Sequence, residues 1–365
     1  MTKSRVLINI TNGEEMSESE FRKLLPFLIR EERIVVDEFH RLSDETLSTI
    51  QALGGSGSII LITSTIRKIV GKNSPILGLF ELKKVDLVDP RDAISFSRSL
   101  GFKGKEMMEI ACLVREPWIV PKLERVRGRI FDELEEELRI YVPHLVGEVF
   151  EEEDIEFTSR YSGILEAVAN GKNSASEISS YLYSLGLIEK DNPGLISQYL
   201  RNLVDMGLIV PRLVFGKRKK VFKYRLTSLL VDLAFYLNSK YAFFESGAGV
   251  GENVGEILRR RIPIYMEWFF EELLERYFGM QPIKIAKPEL EVDIALRDFK
   301  RIKVVGEVKW RESIGEKEIR KAEEKLRRFG EARKMLIVPS KDSLKREPRG
   351  IEVWDWEDFL RISLL

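Results

Sequence analysis

The chain has 365 residues, 32% of them charged and 44% hydrophobic, with 59 basic against 59 acidic side chains. That composition suits a globular chain of about two to four domains and excludes a disordered or collagen-like one. A formal net charge of zero excludes a global field drawing the protein to nucleic acid, so any such binding must come from local patches.

Residues 1–88 alternate strand and helix patterns. RVLINI reads as a buried strand, SESEFRKLLPFLI as a helix capped by Ser17 or Ser19, and RIVVDEF as a second strand. DETLSTIQALG reads as a helix closed by Gly54, and SIILITST as a third strand. This order predicts a parallel α/β sheet. From 89 to 157 amphipathic helical runs take over, ending in the acidic EVFEEEDIE, which reads as a solvated face or linker. Residues 158–240 read as a winged helix: three short helices, the middle one opened by Ser174 or Ser176, then two strands around a turn at Gly216. Residues 241–262 read as a linker holding the Gly-rich ESGAGVGENVG. They are followed at 263–365 by helix, three strands, helix and two strands around a mixed sheet.

The residues able to do chemistry are few in kind. Cys112, the single cysteine, sits in the apolar run EIACLV and reads as a buried structural thiol, so no disulfide or thiolate zinc site is expected within the chain. A reducing cytoplasm is the expected location. MTKSRVLINITNGEE turns polar too soon for a secretory signal, and no apolar run approaches the roughly 20 residues that span a bilayer. The scarcity of glutamine (Gln51, Gln198 and Gln281) leans thermophilic. With only His40 and His144 present, carboxylates are the expected catalytic and metal-binding groups.

Two carboxylates and a lysine stand out in LEVDIALRDFKRIKVVGEVKW, residues 290–310. Strand alternation places Glu307 and Lys309 on one face, and Asp293 with Ala295 on one face of the preceding strand. Pairing through the RDFKR turn would bring Asp293 and Glu307 within reach of one Mg²⁺ or Mn²⁺. Lys309 would then steady an attacking water or the scissile phosphate. A carboxylate from the preceding helix would complete the site. Glu267 and Glu271 lie four apart on one helical face and either qualifies; Glu271 is taken as the assisting residue. The order of helical Glu, Asp and then Glu-x-Lys resembles the PD-(D/E)XK nuclease superfamily over roughly residues 263–340, with Val292 rather than proline before the Asp. The resemblance implies a restriction-endonuclease-like mixed α/β domain that hydrolyses DNA phosphodiesters.

RIVVDEFHRL at 33–42 has the form of a Walker B strand, with Asp37 to hold Mg²⁺, Glu38 to polarise water and Thr63 or Ser64 on the neighbouring strand as a γ-phosphate sensor. ERIVVDEFHRLSDETLSTIQ, SIILITSTIRKIV, NSPILGLFELKKVDLVDPRDAISF and LVREPWIVPKL resemble the archaeal ATPase family related to the AAA and STAND classes. That resemblance implies a P-loop-type core at 1–88, a helical lid at 89–157 and the winged helix. No G-x-x-x-x-G-K-[ST] occurs, however: GFKGKE at 101–106 fails in spacing, and Leu79 stands where the family carries arginine. The P-loop core is thus truncated in this chain, and weak or absent ATP hydrolysis is expected. On the winged helix, Gln198 and Arg201 would face a groove while Lys217, Arg218, Lys219, Lys220 and Lys223 contact phosphates, with Arg259, Arg260 and Arg261 extending the track. DNA is the expected partner, with a second copy or a separate ATPase chain as a further one. A regulatory scaffold built from two decayed enzyme-like domains is the alternative, as is an ATPase whose P-loop comes from an upstream segment or a partner chain.

Overall fold

A computed structural model of the chain describes residues 7–9, 15–31, 33–54, 57–63, 78–153, 155–245, 253–285 and 287–364. The chain forms two compact units, residues 1–85 with 145–157, and residues 86–144 with 158–365. The division differs from the one read in sequence: most of the lid segment, the winged-helix segment and the nuclease-like segment fall together in the second unit.

In the first unit, β1 (Leu7–Asn9) pairs antiparallel with β2 (Glu15–Ser17), ahead of α1 (Glu18–Glu31). The sequence reading placed this strand in the parallel sheet. Only five residues separate β1 from β2, too few for a parallel crossover, and they include the turn-forming pair Asn12-Gly13. Ser17 caps α1 through Glu20. Phe21, Leu25 and Ile29, spaced by four, bury one stripe of the helix. β3 (Arg33–Val36) and β4 (Ser58–Leu61) pair in parallel on either side of α2 (Asp44–Ala52), whose cap is Ser43. Ile34, Val36, Ile59 and Leu61 turn toward the core of Phe21, Leu25, Phe39, Leu42 and Ile50. Gly57 is obligatory, because a Cβ there would stand 1.7 Å from the Ile29 carbonyl oxygen. Ser64 and most of the SPILGLF segment lie outside the described residues.

The second unit begins with α3 (Pro90–Ser99), α4 (Gly104–Leu113) and α5 (Val120–Val126). Next comes α6 (Glu135–Glu152), whose C-terminal part counts with the first unit. The acidic run, expected as a solvated face or linker, is helical as far as Glu152, with Glu148 and Glu151 exposed and Phe150 buried. α7 (Ser159–Ala169), α8 (Ala175–Ser184) and α9 (Pro193–Asp205) precede the hairpin β5 (Ile209–Phe215) and β6 (Phe222–Leu226). Ser174 opens α8 with a capping box to Glu177, and Asn192 with Pro193 opens α9. Gly216 takes φ +90° at the root of the hairpin loop. α10 (Leu229–Tyr241) and α11 (Val254–Phe278) follow, so the C-terminal part of the expected linker is already the start of a long helix capped by Asn253. Residues 246–252 of the Gly-rich stretch lie outside the described residues.

The chain continues through β7 (Gln281–Ile285), β8 (Ile294–Asp298), β9 (Arg301–Val308), α12 (Glu316–Arg327), β10 (Arg333–Ile337), β11 (Glu352–Trp354) and α13 (Trp356–Ser363). β7, β8 and β9 form an antiparallel meander, and β10 returns parallel to β9. The sheet does not stop at β7. β5 pairs with it in parallel, Leu213 to Ile283 and Phe215 to Ile285, giving one seven-stranded sheet in the order β11-β10-β9-β8-β7-β5-β6. The hairpin read as the wing of a winged helix is thus an integral edge of the C-terminal sheet. On one face Leu326 of α12 packs against Ile283, Ala295 and Val305. On α11, Phe270 stacks on Phe359 of α13 at 4.3 Å and meets Trp310 at 5.2 Å. Among the described residues no helix is long and apolar enough to cross a membrane.

Candidate active site

The register of β8 on β9, Ile294 opposite Gly306 and Ala295 opposite Val305, sets Asp293 beside the Glu307–Val308 peptide. The Val308 amide donates to Asp293 Oδ2 at 2.7 Å. Lys309, one alternation beyond Glu307, returns its ammonium over both carboxylates, 2.9 Å from Glu307 Oε2 and 3.7 Å from Asp293 Oδ2. The same ammonium lies 3.3 Å from the Val308 carbonyl oxygen. Burial works against its charge, but Asp293 and Glu307 outweigh burial and raise its pKa. A second lysine, Lys325 of α12, donates to Glu307 Oε1 at 2.5 Å. Glu307 is almost wholly buried, with one carboxylate oxygen matched by each of these two ammonium groups.

Of the two helical candidates, Glu267 is the one whose charge couples to this cluster. Burial, and then the nearby Asp293, push its carboxyl up to about 8, against the pull of Lys284 and Lys309. Glu271 belongs elsewhere, one turn further along α11. Its Oε2 accepts from Arg212 Nε at 2.7 Å, its Oε1 lies 3.1 Å from Lys284 Nζ, and Arg225 Nε stands 4.0 Å away. Burial opposes its charge, but Lys284, Arg212 and Arg225 prevail and hold it down at about 2. Those three cations come from β7, β5 and β6, so Glu271 rivets the hairpin to the sheet and to α11. The structure thus places Glu271, taken in sequence as the assisting residue, among three cations of the hairpin and sheet. Glu267 and Lys325 replace it beside the cluster.

Among the described residues no group of three or more His, Cys, Asp or Glu side chains stands ready to hold a metal ion. A cation at this site would take two carboxylates, from Asp293 and Glu307, together with the Val308 carbonyl. The donor set fits: these hard oxygens already converge on one positive group, the Lys309 ammonium. Mg²⁺ and Mn²⁺ accept such sets, with water and substrate oxygens completing the shell.

The basic hairpin loop lies at the same end of the sheet as this cluster. Because β5, β7, β9 and β10 run parallel and β8 runs against them, the C-terminal ends of β5 and β9 share an end with the N-terminus of β8. Three strand spacings separate β5 from β9, about 14 Å. Lys217, Arg218, Lys219 and Lys220 are exposed there. Lys223 is not free for phosphate, since its ammonium bonds Glu291 at 3.1 Å. Gln198 and Arg201 are exposed on α9 and bond each other at 2.7 Å. Arg261 is committed to the buried Asp232, and Arg259 to Asp132, so neither extends a basic track.

In the first unit, Asp37 and Glu38 follow β3, and Thr63 follows β4 in the parallel pair. His40, given no role in the sequence reading, joins them: Nδ1 lies 2.9 Å from Thr63 Oγ1 and Nε2 lies 3.4 Å from Glu38 Oε2. Glu38 takes the left-handed φ of +50°, and Arg41 stands 3.8 Å from its carboxylate.

No family model matches this sequence, and no curated protein matches it. Among solved structures, that of the Aeropyrum pernix ORC1 protein in complex with DNA is similar over 65% of this chain and 72% of that chain. Identity there is 17% and the TM-score is 0.30, a level at which the likeness carries no argument about this chain.

Proposed function

We propose that the second unit binds DNA and hydrolyses its phosphodiester bonds with a divalent cation. The observation that carries this reading is the convergence, at one end of one sheet, of Asp293, Glu307 and Lys309 with the exposed basic loop 217–220. The α-β-β-β-α-β succession from α11 to β10 is the order the PD-(D/E)XK resemblance implies. In this reading Lys217 to Lys220 hold the phosphate backbone, and Asp293, Glu307 and the Val308 carbonyl hold Mg²⁺ or Mn²⁺. The cation, when bound, supplies charge neutralisation and activation of water. Lys309, released from the carboxylates, directs its ammonium at the attacking water or the scissile phosphate. No nucleotide hydrolysis is assigned to Asp37, Glu38 and Thr63, whose neighbours in the fold are His40 and Arg41.

The test is incubation of the protein with supercoiled and linear duplex DNA in Mg²⁺ or Mn²⁺, repeated with Asp293→Ala and Lys309→Ala. Each variant should lose cleavage by at least about 100-fold while still binding DNA. Cleavage that survives both substitutions would end the proposal. A second reading, DNA binding without catalysis, draws on the capture of both Glu307 oxygens by Lys309 and Lys325. It predicts binding with no cleavage in either metal.

A further inference from the structure

On the side of α12 away from the carboxylate cluster lies a cavity of about 330 Å³, lined by Glu323, Arg327, Lys334, Arg349, Gly350 and Ile351. Its size is within the range of small-ligand sites, about 300–1,000 Å³. Helix periodicity separates it from the cluster. Lys325 leaves α12 toward Glu307, whereas Glu323 and Arg327, each two positions away, leave on the opposite side and stack one turn apart.

The lining holds three cationic side chains against one carboxylate, and that carboxylate is already matched. Arg346 grips Glu323 with two bonds of 2.7 Å, one to each oxygen, and the Arg349 amide adds a third at 2.7 Å. The Arg346 hydrogen bonds hold the Glu323 carboxyl at about 2, so it stays anionic and paired with Arg346. Lys334 is steadied by the carbonyls of Gly330 and Ala332, just beyond α12, and forms no salt bridge among the described residues. Arg327 and Arg349 are both exposed, and neither guanidinium forms a salt bridge among the described residues. Two guanidinium forks and an ammonium around one hollow are the donor set that phosphate oxygens select, and Ile351 adds an apolar wall.

We infer that this cavity binds a phosphate group through Arg327, Lys334 and Arg349, at a site separate from the Asp293–Glu307–Lys309 centre. The phosphate belongs either to a small phosphoanion of diphosphate or nucleotide size, or to a nucleic-acid backbone crossing this face.

Calorimetric titration with pyrophosphate at low salt tests the inference on the full chain. Wild type should bind, and Arg327→Ala with Arg349→Ala should weaken binding at least ten-fold while circular dichroism and the melting curve stay unchanged. Arg327→Lys, which keeps the charge, should retain most of the affinity. Asp293→Ala should bind pyrophosphate like wild type, so failure of the nuclease proposal and failure of this one are separable. A duplex oligonucleotide that displaces pyrophosphate identifies the source as nucleic acid. In that case the double variant should also lower the salt slope of DNA binding by about 2. A duplex that leaves pyrophosphate in place identifies a free phosphoanion. Absence of pyrophosphate binding in wild type, or equal binding in the double variant, would overturn the inference.

Discussion

Glu271→Gln separates a structural carboxylate from a catalytic one. In the folded chain Glu271 sits at about 2 instead of its ordinary 4.5. At about 1.4 kcal/mol per pH unit, that difference is worth about 3 kcal/mol of stability at neutral pH. The folded-state pKa is depressed, so the contribution is present above about 4.5 and is lost as pH falls toward 2. By pH 3 about 2 kcal/mol of it should be gone. Glutamine removes the charge and leaves Arg212, Arg225 and Lys284 around a neutral group, a change of about 3–5 kcal/mol for a buried ion cluster. All five tryptophans (Trp118, Trp268, Trp310, Trp354 and Trp356) lie in the second unit, so their fluorescence in a urea titration reports that unit alone. The expected result is a variant about 3–5 kcal/mol less stable at pH 7, with the gap to wild type about 2 kcal/mol narrower at pH 3. A gap below about 1 kcal/mol at pH 7, or one that does not change with pH, would refute the assignment of Glu271 as the rivet between hairpin, sheet and α11.

Three further outcomes follow from the same structure. Replacing Arg218 and Lys219 with alanine should weaken DNA binding and lower the slope of log K against log salt by about 2, measured by fluorescence anisotropy. Lys223→Ala should leave that slope nearly unchanged, because Lys223 is already spent on Glu291. Phe299, at the β8–β9 turn, takes φ +50° while 89% exposed, a conformation that bulky residues adopt at a cost and asparagine tolerates. Phe299→Asn should therefore raise stability by up to about 1 kcal/mol in the same urea titration.

The Asp293, Glu307 and Lys309 grouping was legible because it depends only on period-two alternation and one short turn, both local properties of residues 290–310. Lys325 was not legible, since which residue of α12 meets Glu307 depends on how that helix lies across β9. The different surroundings of Glu267 and Glu271 were not legible for a related reason. Both lie on one face of α11, and what separates them is which strands pass beneath each. The strands beneath Glu271 include β5 and β6, brought there by pairing between Leu213–Phe215 and Ile283–Ile285, about 70 residues apart. A parallel pairing at that separation leaves no mark in composition or periodicity. The antiparallel β1–β2 pair had a local mark in the sequence, the dipeptide Asn12-Gly13 within a five-residue connection.

That long-range pairing also changes how the basic loop can work. A wing attached only through its own hairpin would set its lysines against DNA independently of any distant active site. Here the loop leaves β5 directly after Phe215, which is hydrogen-bonded into the same sheet as β8 and β9. Arg212, Arg225 and Lys284 close the seam around Glu271. A phosphate held by Lys217 to Lys220 is therefore fixed, within the reach of those side chains, about 14 Å along the sheet from Glu307. Loosening the seam should therefore impair placement of DNA at the Asp293–Glu307 centre, which the seam meets through Lys284, 3.1 Å from the Asp293 carbonyl oxygen. Glu271 thus serves the proposed chemistry through the strands it joins and through Lys284, which bridges it to the Asp293 carbonyl oxygen.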